Sequence, residues 1–356
     1  MISRDEYLKI PLKERFIELE AEQEARAEEL HRGALVIDMH TCMLEDRLAD
    51  QDFLENVPRI QRSGMTGFVE EVIPFDDEFG PSMETLGRYR LQIEKHPDFM
   101  LAFHAQDFVR AKESGKQAVM FGLEPQSFGR DLDRVAIAYG LGIRVALLTL
   151  NTRNYVGDGC GERANAGLSY LGLELVERMN ELGMLIDLSH CGTQTTLDAI
   201  EASSNPVVCN HIGARALYPQ LKRLKTDEEL LALANKGGVA GISAIPNQLS
   251  QHAEQGIEDM LNHIDYIVNL IGIDHVAIGT DILFGDQVEV HRQTDKTLLK
   301  LDSYGQELNA PYMYGIESTE EWPNVTRGLV SRGYSDDQIR KIIGGNALRI
   351  LQEVVG

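Results

Sequence analysis

The sequence contains little cysteine, and its few cysteines are scattered. Only four of the 356 residues are cysteine, with no CxxC pair and no disulfide-like spacing. They are Cys42, Cys160, Cys191 and Cys209. This pattern excludes a disulfide-based scaffold and favours a reducing compartment.

Long apolar runs and an excess of basic residues are also absent. No segment reaches the roughly 18 apolar residues of a membrane span, and residues 1–7 lack the apolar core of a signal peptide. Lysine and arginine number 34 against 56 aspartate and glutamate residues, a formal charge of −22. That charge argues against a nucleic-acid partner and against an anionic membrane surface. We therefore expect a cytoplasmic protein that acts on a small molecule.

The chain also lacks linkers, low-complexity segments and short repeats that would divide it. With 43% apolar residues, it is long enough to bury one large core. Residues 1–33 are rich in Glu, Ala, Leu and Arg at helical spacing, which predicts an N-terminal helical extension. Residues 34–356 are predicted to form a single domain.

The sequence does contain a regular alternation of strand-like and helix-like segments. β-branched apolar runs recur eight times, separated by amphipathic stretches of helix length. The predicted strands span residues 34–41, 66–74, 116–124, 143–151, 183–190, 206–211, 237–245 and 274–281. The clearest predicted helices span residues 173–182, 193–202, 226–236 and 257–271. This alternation predicts an α/β fold, a (β/α)8 TIM-like barrel, with an open doubly wound sheet as the alternative.

Two regions fall outside the alternation. Residues 282–321 show no clear period and contain three tyrosines, so they are predicted to form a long loop beside the barrel mouth, a candidate lid. The tyrosines are Tyr304, Tyr312 and Tyr314. Residues 322–355 are predicted to form two C-terminal helices, with Ser335 as the N-cap of the second.

Five of the apolar runs end in a residue of a type that binds metal or transfers protons. These residues are His40, Glu124, His190, His211 and Asp281. The carboxyl ends of barrel strands converge on one mouth, so the five side chains are expected to meet there. Imidazole and carboxylate suit zinc, which predicts a metal-dependent hydrolase.

Several longer segments occur in a familiar order. The most specific are Leu-Ile-Asp-Leu-Ser-His at 185–190 and Gly-Gly-Asn-Ala-Leu-Arg at 344–349. The others are Val-Ile-Asp-Met-His at 36–40, Gly-Leu-Glu at 122–124, Asn-His-Ile-Gly-Ala-Arg-Ala at 210–216 and Ala-Ile-Gly-Thr-Asp at 277–281. From about residue 34 to its end, the chain resembles the membrane (renal) dipeptidase family of metallopeptidases. The resemblance implies a TIM-like barrel and a pair of zinc ions that activate a shared hydroxide for peptide hydrolysis.

The resemblance also implies roles for the strand-end residues. Glu124 would bridge both zinc ions, and its carboxylate would take part in catalysis. His190 and His211 would bind the more exposed ion, and His40 the buried one. Taken alone, His40 fits a hydrogen-bonded structural histidine better. Structural chance does not predict three such residues as a group at separate strand ends, which favours ligands for Glu124, His190 and His211.

Two further residues receive roles from the resemblance. Asp281 would manage protons during attack and departure of the amine and contact the substrate, or it could instead cap the following loop. Arg223 would hold the terminal carboxylate of the substrate, a task suited to a bidentate guanidinium. Alternatively, Lys222, Arg223 and Lys225 could form a solvated basic face. Asp187, out of phase with the ligands, is interpreted as structural.

The first departure from the family pattern is a cysteine on the first strand. Most relatives have His-x-Asp there, whereas this chain has a cysteine two residues after His40. Residues two apart share one side of a strand, so Cys42 faces the same site. Cys42 is then a zinc ligand, a bystander beside a single-zinc site, or part of a site without metal. The sequence favours one zinc ion over two.

The second departure is on the fourth strand. Relatives carry a histidine there that contacts the carbonyl oxygen of the substrate, and this chain has Leu150. Leucine donates no hydrogen bond to a developing oxyanion, so Asn151 or Arg153 would have to substitute. Asn151 is the candidate for substrate binding.

Three functions remain open from the sequence. The leading one is hydrolysis of a dipeptide or small amide with a free carboxylate. The second is a specialised amidase, lyase or isomerase reaction on a secondary metabolite, supported by Cys42 and Leu150. The third is a non-catalytic family member. Because relatives pair as dimers and the terminal helices offer apolar faces, a homodimer with a complete site in each subunit is expected.

Overall fold

The computed structural model describes residues 18–44, 50–72, 79–123, 128–252, 254–283 and 313–356, with the side chains of 50–55 left out. Three residues singled out by the sequence, Glu124, Tyr304 and Tyr312, lie outside the described residues. Most of the candidate lid and the first 17 residues of the predicted N-terminal extension also lie outside them.

Each of the eight predicted strands has a counterpart, and neighbouring strands pair in parallel. The strands are β1 (Ile37–Cys42), β2 (Gly67–Val72), β3 (Phe99–Leu101), β4 (Gln117–Leu123), β5 (Ile143–Leu147), β6 (Leu185–Asp187), β7 (Val208–Ile212), β8 (Val239–Ile242), β9 (Gln255–Gly256), β10 (Val276–Ile278), β11 (Ile282–Leu283) and β12 (Met313–Tyr314). The main sheet runs in the order β10, β8, β7, β6, β5, β4, β2, β1, β11, with β3 beside β4. β9 pairs with β12 in a separate two-stranded sheet.

The sheet closes into a ring because the chain returns to the first barrel strand, β1, directly after the last barrel strand, β10. β11 follows β10 after three residues and pairs with β1, with Thr41 opposite Ile282. The backbone N–H of Asp281 also donates to the carbonyl of His40 at 2.9 Å. The (β/α)8 TIM-like barrel is therefore confirmed, and the open doubly wound sheet is excluded.

Helices cover the outside of the barrel. They are α1 (Ala21–Gly33), α2 (Asp50–Arg62), α3 (Phe79–Lys95), α4 (Ala105–Ser114), α5 (Asp133–Leu141), α6 (Tyr170–Leu182), α7 (Thr193–Ala202), α8 (Asp227–Asn235), α9 (Ile257–Ile271), α10 (Pro323–Ser331), α11 (Asp336–Arg340) and α12 (Asn346–Val354). Local signals set their ends: Ser169 Oγ accepts from the Gly172 N–H at the start of α6, and Gly183 ends it in the left-handed conformation. Both α7 and α9 have the predicted bounds.

The C-terminal segment differs from the two predicted helices. Ser335 is the N-cap of α11, as predicted, but the helix that it begins is short. A π-helical turn at Lys341–Gly345 separates α11 from α12, which makes three helices in all. A side chain at Gly344 would clash with the Leu35 carbonyl, so the chain breaks its regular helix where it crosses the start of β1.

The inside of the barrel is a packed apolar core. Every one of the eight barrel strands contributes side chains to this core, among them Ile37, Val69, Val145 and Val239. Apolar residues of α12 complete it. Asn346 Nδ2 donates to the Val276 carbonyl at 2.7 Å, which places α12 at the amino ends of the strands. The opposite, carboxyl-terminal end is left as the mouth.

The N-terminal helix packs against the C-terminal region and not against the mouth. Arg327 of α10 pairs with Glu24 of α1, with Nε and Oε1 2.9 Å apart. Arg26 of α1 likewise pairs with Asp336 of α11 at 2.8 Å. Among the helices of the described ranges, none combines the length and apolarity needed to cross a membrane.

Candidate active site

Three histidines from three separate barrel strands lie close together at the barrel mouth. His40 lies on β1, His211 lies on β7, and His190 follows β6 by three residues. The rings of His40 and His211 stack with their centroids 3.8 Å apart. The His190 ring lies 4.9 Å from that of His211. The predicted convergence of these side chains is therefore what the structure shows.

Two asparagines fix the orientation of the His190 and His211 imidazoles. Asn151 Oδ1 lies 2.8 Å from His190 Nδ1, and Asn210 Oδ1 lies 2.5 Å from His211 Nδ1. A carbonyl oxygen only accepts hydrogen bonds, so both Nδ1 atoms carry the ring proton. Both Nε2 atoms are then bare lone pairs, and they face each other at 2.9 Å. Two facing lone pairs repel each other, and a shared cation would relieve the repulsion.

His40 forms a second cluster with Cys42 and Asp281. Cys42 Sγ lies 3.7 Å from His40 Nε2 and 3.7 Å from Asp281 Oδ1. His40 Nε2 lies 3.5 Å from the same Asp281 oxygen. Tetrahedral zinc separates its nitrogen, oxygen and sulfur ligands by roughly 3.3–3.6 Å. The donor atoms of this cluster are thus spaced as zinc ligands, and Cys42 does share a side with His40.

Burial keeps all three imidazoles neutral. It lowers the pKa of His40 to about 3, and the positive charge of Arg223 acts in the same direction. Burial also lowers the pKa of His190 and of His211 well below their usual range, again helped by nearby positive charge. A neutral imidazole is the form that binds metal. The residues present therefore fit zinc, both in donor chemistry and in protonation state.

Asp281 lies at the solvent side of the second cluster. Its side chain is 17% exposed, against 5% for that of His40. Its backbone adopts the left-handed conformation with φ of 59°, which aspartate tolerates better than most residues. The carboxylate contacts His40 and Cys42, so it faces the site.

Asp187 has a structural environment. It is fully buried, and its Oδ1 accepts hydrogen bonds from the N–H and Oγ of Ser189 and from the N–H of Asn210. Its other oxygen lies 3.9 Å from His211 Nδ1. These contacts join the ends of β6 and β7, which agrees with the structural interpretation of the sequence.

The basic segment at 222–225 is not a solvated face. Arg223 and Lys225 are 0% and 1% exposed. The Arg223 guanidinium donates to the Ser189 carbonyl at 2.6 Å and to the His211 carbonyl at 2.9 Å. It therefore braces the backbone beside His190 and His211.

The residues considered for substrate contact near Leu150 have other partners. Asn151 Oδ1 accepts from His190 and from the Cys160 thiol, while its Nδ2 is buried without a hydrogen bond among the described residues. Arg153 pairs with Asp158 through both Nε and Nη2. Asn151 thus stands behind His190, and Arg153 is held away by an ion pair.

Two buried carboxylates of the mouth were missed by the sequence interpretation. Asp38 accepts hydrogen bonds from Thr280 N and Oγ1 and from Trp322 Nε1, which fastens β1 to the closing stave. Burial raises the pKa of Asp38 to about 6 against these hydrogen bonds. Glu71 on β2 is 1% exposed, with Oε2 3.8 Å from His40 Nδ1. The sequence feature that could have revealed Glu71 is the acidic pair Glu70–Glu71 inside an otherwise apolar strand.

Comparison with known proteins shows the family to which the chain belongs. A model of the membrane dipeptidase family (peptidase family M19) matches residues 23–296. Dipeptidase tcpJ of Claviceps purpurea is 31% identical over 267 residues, which cover 74% of this chain and 57% of the relative. The chain thus spans less than three fifths of the length of that curated relative.

Solved structures share the whole barrel. An amidohydrolase from Pseudomonas aeruginosa superposes with a TM-score of 0.82 at 29% identity, covering 92% of this chain and 98% of that one. A metallo peptidase from Rhodobacter sphaeroides, liganded with a phosphinate mimic of the dipeptide L-Ala-D-Ala, superposes with a TM-score of 0.75 at 20% identity. It covers 90% of this chain and 99% of its own. By the family match, the chain belongs to the membrane dipeptidase family, which consists of metallopeptidases.

Proposed function

We propose that this membrane dipeptidase family member is a zinc enzyme that hydrolyses a dipeptide or a small amide with a free carboxylate. The observation that carries the proposal is the pair of His190 and His211, whose unprotonated Nε2 atoms face each other at 2.9 Å in the mouth. Such a pair is stable with a cation between its members and unfavourable without one.

Two zinc positions are supported by the donor atoms. His190 and His211 would hold one ion, and His40 and Cys42 the other, in place of the single ion that the sequence favours. Glu124, the carboxylate that the family resemblance assigns to both ions, completes the proposed ligand set and shares the catalytic role. When bound, zinc polarises the scissile carbonyl and activates a water molecule for attack.

Asp281 is proposed to handle protons and to contact the substrate. Its Oδ1 faces the cluster while part of its side chain reaches solvent, so it can take a proton from the attacking water. Returning that proton to the leaving amine completes the general acid–base cycle. Asn151 and Asn210 hold the imidazoles in one tautomer throughout, so the ligands need no reorganisation.

A second candidate function follows from the position of Arg223. Its guanidinium is fully buried and already donates to two backbone carbonyls. A guanidinium in this environment is poorly placed to hold a free substrate carboxylate. This observation favours a specialised amidase whose substrate lacks that carboxylate.

Metal analysis combined with a matched substrate panel tests the proposal. The full chain is assayed against dipeptides and against the same dipeptides as C-terminal amides, with zinc measured by mass spectrometry. Cleavage of the free dipeptides supports the first function, and cleavage of the amides alone supports the second. No zinc and no cleavage of either set would exclude both.

Ligand variants provide the matched control. His190→Ala and His211→Ala should each lose bound zinc with little change in unfolding midpoint, because both side chains lie at the mouth and outside the packed interior. His275→Ala should keep the zinc, since His275 precedes β10 at the opposite end of the barrel and contacts the Gly238 carbonyl. Full zinc content in both ligand variants would contradict the assignment.

A further inference from the structure

We propose that Glu71 is a positioning residue that accepts the Nδ1–H of His40 and thereby presents His40 Nε2 to the zinc. The inference rests on the proposed function, because it assigns His40 as a ligand. Metal-binding histidines commonly donate their second ring N–H to a carboxylate, which fixes the tautomer and raises the basicity of the ligand nitrogen. The carboxylate of the first strand, Asp38, is instead held by Thr280, Trp322 and the backbone N–H of His40.

The two edges of the His40 ring face different groups. Nε2 faces Cys42 Sγ at 3.7 Å and Asp281 Oδ1 at 3.5 Å. Nδ1 faces Glu71 Oε2 at 3.8 Å and makes no hydrogen bond among the described residues. A separation of 3.8 Å is longer than a hydrogen bond, and a small rotation of either side chain would close the contact.

The neighbouring strand makes room for the Glu71 carboxylate. Glu71 pairs with Gly122 of β4. A Cβ atom at Gly122 would clash with Glu71 Oε2 and also approach its Cδ. Gly122 lies two residues before Glu124. Because Gly122 has no side chain, the buried Glu71 carboxylate fits inside the barrel.

The adjacent Glu70 does not share this position. Its Oε2 accepts from Thr41 Oγ1 at 2.7 Å and its Oε1 from the Leu44 N–H at 2.5 Å, contacts that hold the end of β1. Successive residues of a strand point to opposite faces, so only Glu71 faces the mouth. Glu70 is therefore a matched control: the same residue type, equally buried, on the other face of the same strand.

The charge of the site gives this carboxylate a reason to be there. Of the two proposed ligands of the zinc ion at this position, His40 is neutral and Cys42 can supply one negative charge. A zinc ion bound by His40 and a thiolate would gain a second negative charge from Glu71 without a further ligand bond. Glu71 is not proposed as a ligand, because it faces Nδ1 while Cys42 faces Nε2.

The tautomer of His40 in the metal-free protein is the decisive measurement. Histidine-selective ¹⁵N labelling and NMR at neutral pH should show the Nδ1–H form in the wild type. In Glu71→Ala the proton should move to Nε2, which lies 3.5 Å from the acceptor Asp281 Oδ1. Glu71→Gln should keep the Nδ1–H form in part, because its amide oxygen still accepts, and Glu70→Gln should keep it fully.

Zinc affinity gives a second readout, with a competing chelator as the probe. Glu71→Ala should weaken zinc at the His40 position by about 10–100-fold and leave the His190–His211 position unchanged. Gly122→Ala should displace the carboxylate and reproduce the Glu71→Ala tautomer, with no further change when the two are combined.

The outcomes separate this inference from the proposed function. An unchanged His40 tautomer in Glu71→Ala, or an equal change in Glu70→Gln, would overturn the role of Glu71 even if the enzyme binds zinc and cleaves dipeptides. Lack of dipeptide cleavage would count against the proposed function alone, because the tautomer is read without metal or substrate.

Discussion

Replacing Arg223 by methionine should destabilise the protein more than it alters substrate preference. The substitution keeps the apolar stem and removes two charge-assisted hydrogen bonds, to the carbonyls of Ser189 and His211. Hydrogen bonds to a charged group contribute about 1.5–3 kcal/mol each, so the expected loss is about 3–6 kcal/mol. The loss also frees the backbone beside His190 and His211, and zinc at that proposed position should be bound more weakly.

Denaturant unfolding of the full chain measures the first effect and a chelator titration the second. Lys222→Met is the control, since it removes a neighbouring cation that is only half-buried and should change stability by less than about 0.5 kcal/mol. Arg223→Lys should recover only part of the stability, because an ammonium group cannot reproduce the planar fork. Wild-type stability in Arg223→Met, with a raised KM confined to free-carboxylate dipeptides, would show that Arg223 is instead the substrate anchor.

Three further predictions concern the metal, pH and assembly. Cys42→Ala should lose one zinc ion, and its cobalt-substituted form should lose the near-ultraviolet thiolate-to-cobalt band. Cys42→Asp should keep the zinc ion and lose only the band. A wild-type cobalt spectrum without that band would refute thiolate ligation. Burial lowers the pKa of His263, whose Nδ1 accepts from the Ala214 N–H and whose Nε2 donates to the Leu249 carbonyl. Below about pH 6.5 the unfolded chain therefore binds a proton at His263 that the folded chain refuses. His263 should then contribute a loss of stability of up to about 1.4 kcal/mol for each unit by which the pH is lowered. His263→Gln should reduce the slope of stability against pH by that one-proton share, and an unchanged slope would contradict the reasoning. Sedimentation at micromolar concentration should show the homodimer expected of the family, and a monomer would rule it out.

The strands were predictable because a buried parallel strand has a strong signature. Eight β-branched runs at helix-length intervals leave few alternatives to a barrel, and each run has its strand. Their ends were less predictable, since an apolar run does not stop where hydrogen bonding stops. The strand predicted to end at His190 ends at Asp187, and the one predicted to end at Asp281 ends at Ile278.

The convergence of the three histidines was predictable for a topological reason, and their partners were not. Parallel strands of one barrel bring their carboxyl ends together whatever the loops do. The hydrogen bond from His190 to Asn151 joins the residues that follow two neighbouring strands, β6 and β5. Its existence depends on the register of those strands and on the rotamers of both side chains. Glu71 shows the same limit, because the sequence does not reveal which of two adjacent acidic residues faces the mouth.

The two buried cations near the mouth explain why these histidines are available to a metal at neutral pH. Lys225 Nζ lies 3.3 Å from Glu229 Oε1, so its charge is largely balanced within the 225–229 turn. Among the described residues Arg223 has no carboxylate partner, and both of its polar contacts are to backbone carbonyls. Its positive charge contributes to lowering the pKa of all three imidazoles. One guanidinium therefore braces the loops that carry His190 and His211 and also opposes the protonation that would compete with zinc, and neither effect of Arg223 requires a contact to substrate.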